Sequence, residues 1–230
     1  MKTEIQHRPS FAVAVVTLGP DETLQAESGA MVTMSPGITI ETKARGGLLK
    51  SLARSVLAGE SFFINTFRAP RGGGSISLAP SLPGDMFELD LAGSTLLVQS
   101  GSFVASGSEV DIDTRWGGAK TFFASEGLVL LKATGSGSLI LSSYGAIDDL
   151  DLAAGEQVIV DTGHLVAFGA QVGFEVRRLG GLRSSIFSGE GLVVELTGPG
   201  RVLVQTRSQD AFLSWLIPRL PKDRGRGSRG

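Results

Sequence analysis

The sequence predicts an all-β fold built from three diverged copies of one strand-rich unit, of β-sandwich or double-stranded β-helix type, with one or two short helices. Three observations carry this reading. Short apolar runs are separated by glycine-containing turns along most of the chain, the pattern of many short strands. Where the runs are clearest they alternate, as in Val110-Asp111-Ile112-Asp113-Thr114 and Ile38-Thr39-Ile40-Glu41-Thr42; alternation puts apolar groups on one face and polar groups on the other. Two motifs also recur three times at a spacing of about 65 residues, and a fixed period of this size marks an internal repeat.

The first motif contains Gly29, Gly101 and Gly163. An aliphatic residue stands five positions before each glycine (Leu24, Leu96, Val158) and a valine three positions after it (Val32, Val104, Val166). The second motif contains Glu60, Glu126 and Glu190, which lie 66 and 64 residues apart. A strand-like run follows each glutamate. Each run ends at a glycine turn, at residues 71–74, 135–137 and 198–200, and each turn feeds another apolar run. Repeats are expected at about 3–80, 81–143 and 144–216, within one compact body spanning 1–220. A unit of this size is marginal alone, so the three are expected to pack together and cover one another's sheet edges.

Residues 46–59 break the pattern with helical spacing. Leu48, Leu49, Leu52, Val56 and Leu57 fall on one stripe, Lys50 and Arg54 fall elsewhere, and Gly59 is placed as a stop. A second short helix is predicted over 210–216. Pro218 and Pro221 then end regular structure, and residues 221–230 are expected to be a disordered basic tail.

Composition narrows the chemistry. The 230 residues are 42% hydrophobic, enough for a sizeable core, and contain no cysteine. Disulfides, thiolate nucleophiles and cysteine-ligated metals are therefore excluded. The first ten residues are polar, and no apolar run approaches the roughly 18 residues of a spanning helix. A cytoplasmic protein without a transmembrane anchor is the expectation. The net charge is −2, but residues 218–230 hold five bases and one acid, or +4, which leaves −6 on the rest. An acidic body disfavours a broad nucleic-acid surface.

Glu27-Ser28-Gly29-Ala30-Met31, Gly59-Glu60-Ser61-Phe62-Phe63, Pro83-Gly84-Asp85, Ser143-Tyr144-Gly145, Gly189-Glu190-Gly191-Leu192-Val193 and Gly198-Pro199-Gly200 occur in this order. Together they resemble the bacterial and archaeal family related to the fungal altered-inheritance-of-mitochondria (mitochondrial biogenesis) protein, long catalogued as a domain of unknown function. The resemblance runs from about Thr3 to Leu220. It implies three β-rich units with a fold similar to the subunit of the trp RNA-binding attenuation protein (TRAP). It brings no enzymatic activity, and the family's mitochondrial members are tied to inner-membrane organisation. Tryptophan or RNA binding does not follow from shared fold.

Candidate chemistry is sparse. The histidines are His7 and His164. A Ser/His/Asp set around Asp161-Thr162-Gly163-His164 is conceivable, but His164 occupies the repeat slot held by Ala30 and Ser102, an ordinary strand-entry position. Asp148, Asp149 and Asp151 read as solvated acids in a turn before Leu152. Glu60, Glu126 and Glu190 are repeat-equivalent polar positions, read first as turn caps accepting backbone N–H groups and second as a ligand ring. The glycine turns match neither a P-loop nor a dinucleotide site. Tyr144, Trp116 and Trp215 are the remaining base-stacking candidates.

The chain is expected to be a non-enzymatic interaction or scaffold protein, without cofactor or metal; Leu48, Leu49, Lys50, Leu52 and Arg54 are read first as ordinary packing over one end of a β unit and second as the contact with a partner or a membrane surface. A small-ligand or RNA-binding module like the trp RNA-binding attenuation protein is the alternative. A homo-oligomer, with a trimer first among the choices, is expected from uncovered sheet edges. A protein or an anionic lipid is the expected partner, and nucleic acid only through the basic tail.

Overall fold

The computed structural model describes residues 1–43, 63–113, 128–178 and 192–221. Among these residues the chain is mostly β, with one short α-helix. The helix expected over 46–59, with Leu48, Leu49, Lys50, Leu52 and Arg54, lies outside the described residues, as do Glu60, Glu126, Glu190, Trp116 and the tail beyond Pro221.

An N-terminal strand, β1 (Lys2–Gln6), precedes three groups of six. The first group is β2 (Val13–Leu18), β3 (Thr23–Glu27), β4 (Met31–Met34), β5 (Thr39–Lys43), β6 (Ile64–Arg68) and β7 (Gly74–Leu78). The second is β8 (Met86–Asp90), β9 (Thr95–Gln99), β10 (Phe103–Gly107), β11 (Val110–Asp113), β12 (Leu130–Gly135) and β13 (Ser138–Ser142). The third is β14 (Ile147–Leu152), β15 (Gln157–Asp161), β16 (Leu165–Gly169), β17 (Gly173–Arg178), β18 (Leu192–Thr197) and β19 (Gly200–Gln205). Helix α1 (Gln209–Leu216) follows.

Every pairing between these strands is antiparallel, and the pairing scheme recurs. In each group the first and third strands flank the sixth, and the second and fourth flank the fifth. Even the irregularities recur. The third strand shifts register against the sixth at Met31/Thr33, at Phe103/Ala105 and at Leu165/Ala167. The residues skipped are Val32, Val104 and Val166, so the valine of the first sequence motif marks a β-bulge, an inserted residue that bends and twists the strand.

The groups join by sharing sheets. β3 of the first pairs with β10 of the second, and β9 of the second pairs with β16 of the third. Two six-stranded sheets result, β5-β6-β3-β10-β13-β8 and β11-β12-β9-β16-β19-β14, flanked by β1-β2-β7-β4 and β15-β18-β17. The buried apolar residues follow suit. One cluster unites Val16, Leu24, Phe67 and Ile76 with Met86, Val104 and Ile140; a second unites Val98, Phe103 and Leu131 with Val166 and Leu203; a third unites Leu97 and Leu130 with Phe168, Val194 and Val202. No group closes a core alone.

The connections between groups are stacked on one another. The Ala12 amide donates to the Gly84 carbonyl, the Asp85 amide to the Gly145 carbonyl, and the Thr206 amide to the Ala146 carbonyl. Asp85, almost fully buried, is the fixed point. Its carboxylate takes a two-pronged pair from Arg8 (2.8 and 2.9 Å) and accepts from the Met86 amide, while its carbonyl accepts from the Ser143 amide. The hydrogen bond from Arg8 to Asp85 raises the guanidinium pKa against the small opposing cost of desolvation. A Cβ on Gly84 would overlap the Ser143 carbonyl oxygen, so this crossing admits glycine alone.

Two local expectations are corrected. Asp148, Asp149 and Asp151 belong to strand β14, not to a turn. β14 ends its sheet, where charged side chains are tolerated and block further pairing, and Asp149 is neutralised by a two-pronged bond from Arg201. Ile40, expected on an apolar face, is exposed, while Ile38 before it is buried. The alternation in β11 holds, with Val110 and Ile112 buried and Asp111 exposed.

Gly84→Ala is expected to lower stability by about 2–4 kcal/mol in chemical denaturation, because backbone must move to admit the methyl group. Gly72→Ala, where an added Cβ meets nothing within 4 Å, is expected to change stability by less than about 0.5 kcal/mol.

Candidate functional site

The second strand of each group ends in a polar residue, Glu27, Gln99 or Asp161, and the chain then turns through the motif glycine into the third strand. In the second and third groups that turn is one of 3₁₀-helix, Ser100–Ser102 and Thr162–His164. In the third group the Asp161 carboxylate caps the turn by accepting from the Gly163 amide (2.8 Å). These strand ends meet the inter-group connections and form a cleft of about 300 Å³.

Glu27, Gln99, Ser102, Tyr144, Thr162 and Gln205 line the cleft, and Gln209 and Asp210 from the start of α1 stand at it. Gln205, the last residue of β19, organises the wall. Its Oε1 accepts from the Tyr144 amide (2.8 Å) and its Nε2 donates to the Gly163 carbonyl (2.8 Å). One carboxamide thus ties the connection before β14 to the turn before β16. The lining offers carboxamides, hydroxyls, a phenol and two carboxylates, a set that recognises by hydrogen bonding.

His164 is held beside this wall, its Nδ1 2.7 Å from the Gln205 carbonyl oxygen. Asp161 spends its carboxylate oxygen on the turn amide. The two conceivable members of a triad are therefore each engaged with backbone and not with one another. Among the described residues no three His, Asp or Glu side chains gather as a metal site, and no helix is long and apolar enough to cross a membrane.

From the cleft an aromatic ladder runs outward along α1. The Ser208 side chain caps the helix by accepting from the Ala211 amide, which starts the helix at Gln209, one residue before the sequence expectation. Leu213 and Leu216 are half-buried, while Phe212, Trp215, Ile217 and Leu220 are exposed, the last three over more than half their surface. Tyr144 meets Phe212 edge-on at 6.1 Å, Phe212 stacks with Trp215 at 6.2 Å, and the Arg219 guanidinium lies 4.8 Å from the Trp215 ring. Tyr144 and Trp215, singled out in the sequence as stacking candidates, are thus joined through Phe212. Gln99, Gln205 and Phe212 were not singled out. Each is an unremarkable residue in a single strand or helix, and the polar ends of the second strands were the one repeat-level signal available.

A family model described as "Mitochondrial biogenesis AIM24" matches residues 3–207. An uncharacterized protein of Streptococcus pyogenes serotype M6 is 27% identical over 229 residues, covering 96% of this chain and 92% of that one. The crystal structure of another Streptococcus pyogenes protein superposes with a TM-score of 0.81 at 25% identity, covering 95% of this chain and 99% of its own.

Gln205→Ala removes both bonds of the cleft wall and leaves the Gly163 carbonyl and Tyr144 amide without them. Thermal or chemical denaturation is expected to show a loss of roughly 1–3 kcal/mol. Gln205→Glu keeps the acceptor for Tyr144 and sets a carboxylate against the Gly163 carbonyl, so it is expected to be no better than the alanine variant.

Proposed function

We propose, from the premise that this chain belongs to the mitochondrial biogenesis AIM24 family, that it is a non-enzymatic interaction protein that docks on an anionic membrane surface through α1. The observation that carries this reading is the outward surface of that helix and of the short turn that follows it. Phe212, Trp215, Ile217 and Leu220 are large apolar groups left in water. They stand beside Arg219 and immediately before a sequence segment with Lys222, Arg224, Arg226 and Arg229. Aromatic and aliphatic groups at the level of the headgroups, with basic residues around them, are the composition of an interfacial helix. At about 1 kcal/mol per basic residue near an anionic leaflet, this cluster supplies a few kcal/mol. Burial of Trp215 and Ile217 adds to that, and reversible docking needs no more.

The small-ligand reading rests on the cleft. Its lining fits a small polar molecule better than an apolar one, and such a ligand would touch Gln99, Tyr144 and Gln205 directly beneath α1.

Co-flotation with vesicles tests the docking. The protein is expected to bind vesicles of phosphatidylcholine with phosphatidylserine, to bind less as salt rises, and to bind pure phosphatidylcholine weakly. Trp215→Ala with Ile217→Ala is expected to cut binding about tenfold or more. Both side chains are exposed, so the melting temperature of the double variant is expected to move little. Equal flotation of wild type and double variant would overturn the proposal.

A further inference from the structure

The two ends of the array carry uncovered copies of the surfaces that join its middle. Each internal junction follows one rule. The second strand of a group pairs with the third strand of the next, β3 with β10 and β9 with β16. Carried one step further, β15 calls for the third strand of a following group, and β4 calls for the second strand of a preceding one. Among the described residues neither has such a neighbour. β4 ends the β1-β2-β7-β4 sheet and β15 ends the β15-β18-β17 sheet.

Exposure at equivalent positions measures what is missing. Val32 in β4 is 54% exposed, while its counterparts Val104 and Val166 are 0% exposed. Met31 and Met34 in β4 are exposed as well, whereas Phe103 and Leu165, and Ser106 and Phe168, in the same slots are buried. On the other edge Ile159 in β15 is 50% exposed, against 9% for Gln25 and 4% for Leu97. The slots on β4 and β15 hold side chains as apolar as those at the junctions they copy. At the β9–β16 junction the paired residues Leu97 and Phe168 enter one buried cluster with Val160 and Val194.

We propose that β15 of one copy pairs with β4 of a second copy, extending the chain's own junction between molecules in head-to-tail order. The occupant of each edge is a second copy of this chain because the two edges are complementary to each other by the rule that already operates twice inside it. The register follows. Ala105 lies opposite Ala26 and Ser106 opposite Gln25; Ala167 lies opposite Val98 and Phe168 opposite Leu97. The equivalent pairs between copies are Thr33 with Val160, Met34 with Ile159 and Ser35 with Val158. A one-residue slip would turn these side chains to the wrong faces. The interface is heterologous, so successive copies either close into a ring or run on as a filament. This pairing uses neither α1 nor the cleft, and it stands or falls apart from the membrane reading.

The chain has no cysteine, so single cysteines report the pairing directly. Met34→Cys and Ile159→Cys chains are made separately, mixed, and treated with a short bismaleimide, which spans side chains directly opposite across a strand pair. The expected result is a crosslinked dimer in the mixture and none from either variant alone. Light scattering of the unmodified chain is expected to give a mass that rises above 24.0 kDa with concentration. Ile159→Lys or Met34→Lys, each at a position exposed in the single chain, is expected to raise the concentration needed for association about tenfold or more with the far-ultraviolet spectrum unchanged. A 24 kDa species at all concentrations up to about 100 μM, crosslinking of either variant with itself, or lysine variants that associate like the unmodified chain would each overturn the proposal.

Discussion

Each group of six strands has two edges that only another group can satisfy, and the rest of the molecule follows from that constraint. The second and third strands sit beside different partners within their own group, the fifth and the sixth, and each keeps its other edge free. Those edges pair across the boundary. The shared sheets then draw side chains of the neighbouring group into each buried cluster, and the apolar area removed from water belongs to junctions as much as to groups. The stacked connections around Asp85 and Gly84 fix the offset from one group to the next. A structure held this way is stable in its middle and unsatisfied at its ends.

The turn from second to third strand left two marks in the sequence because both have mechanical causes. The motif glycine sits where the second strand turns into the third, and the valine three positions on is the bulged residue that lets the third strand bend onto the sixth. Both demands are local, so they leave a trace in local sequence. Val110, Ile112 and the short helix near 210–216 were legible for the same reason, through alternation and helical spacing. What covers an edge leaves no such trace. Met31-Val32-Thr33-Met34 has the apolar character of Phe103-Val104-Ala105-Ser106, and the sequence offers no sign that one is exposed and the other buried. The acids of β14 misled for a related reason. Three carboxylates in six residues suggest a turn, but register with β19 and the charge of Arg201 outweigh intrinsic preference at an edge.

The cleft was illegible because its walls come from residues far apart in the chain, Glu27, Gln99, Tyr144 and Gln205, each of an ordinary type for a strand end or connection. It arises where the same strand end recurs and the connections cross it. α1 begins at its rim, and the contact of Tyr144 with Phe212 joins the polar interior to the exposed aromatic face. A protein arranged in this way offers two kinds of contact on different elements: sheet edges that continue its own architecture, and a helix whose apolar groups face outward. If copies line up through the edges, each brings its own α1. Weak single contacts of α1 then act together, because each further contact forms at a high effective concentration.

The claim that the ends are copies of the middle is tested most directly by hydrogen exchange of the backbone amides as protein concentration is raised. Exchange reads strand pairing one segment at a time. The account requires that segments 31–35 and 157–161 become protected together and over the same range of concentration, while the internal junction strands at 103–107 and 165–169 stay protected throughout. Protection of β4 and β15 that does not change with concentration, or that rises in one of them and not in the other, would contradict it.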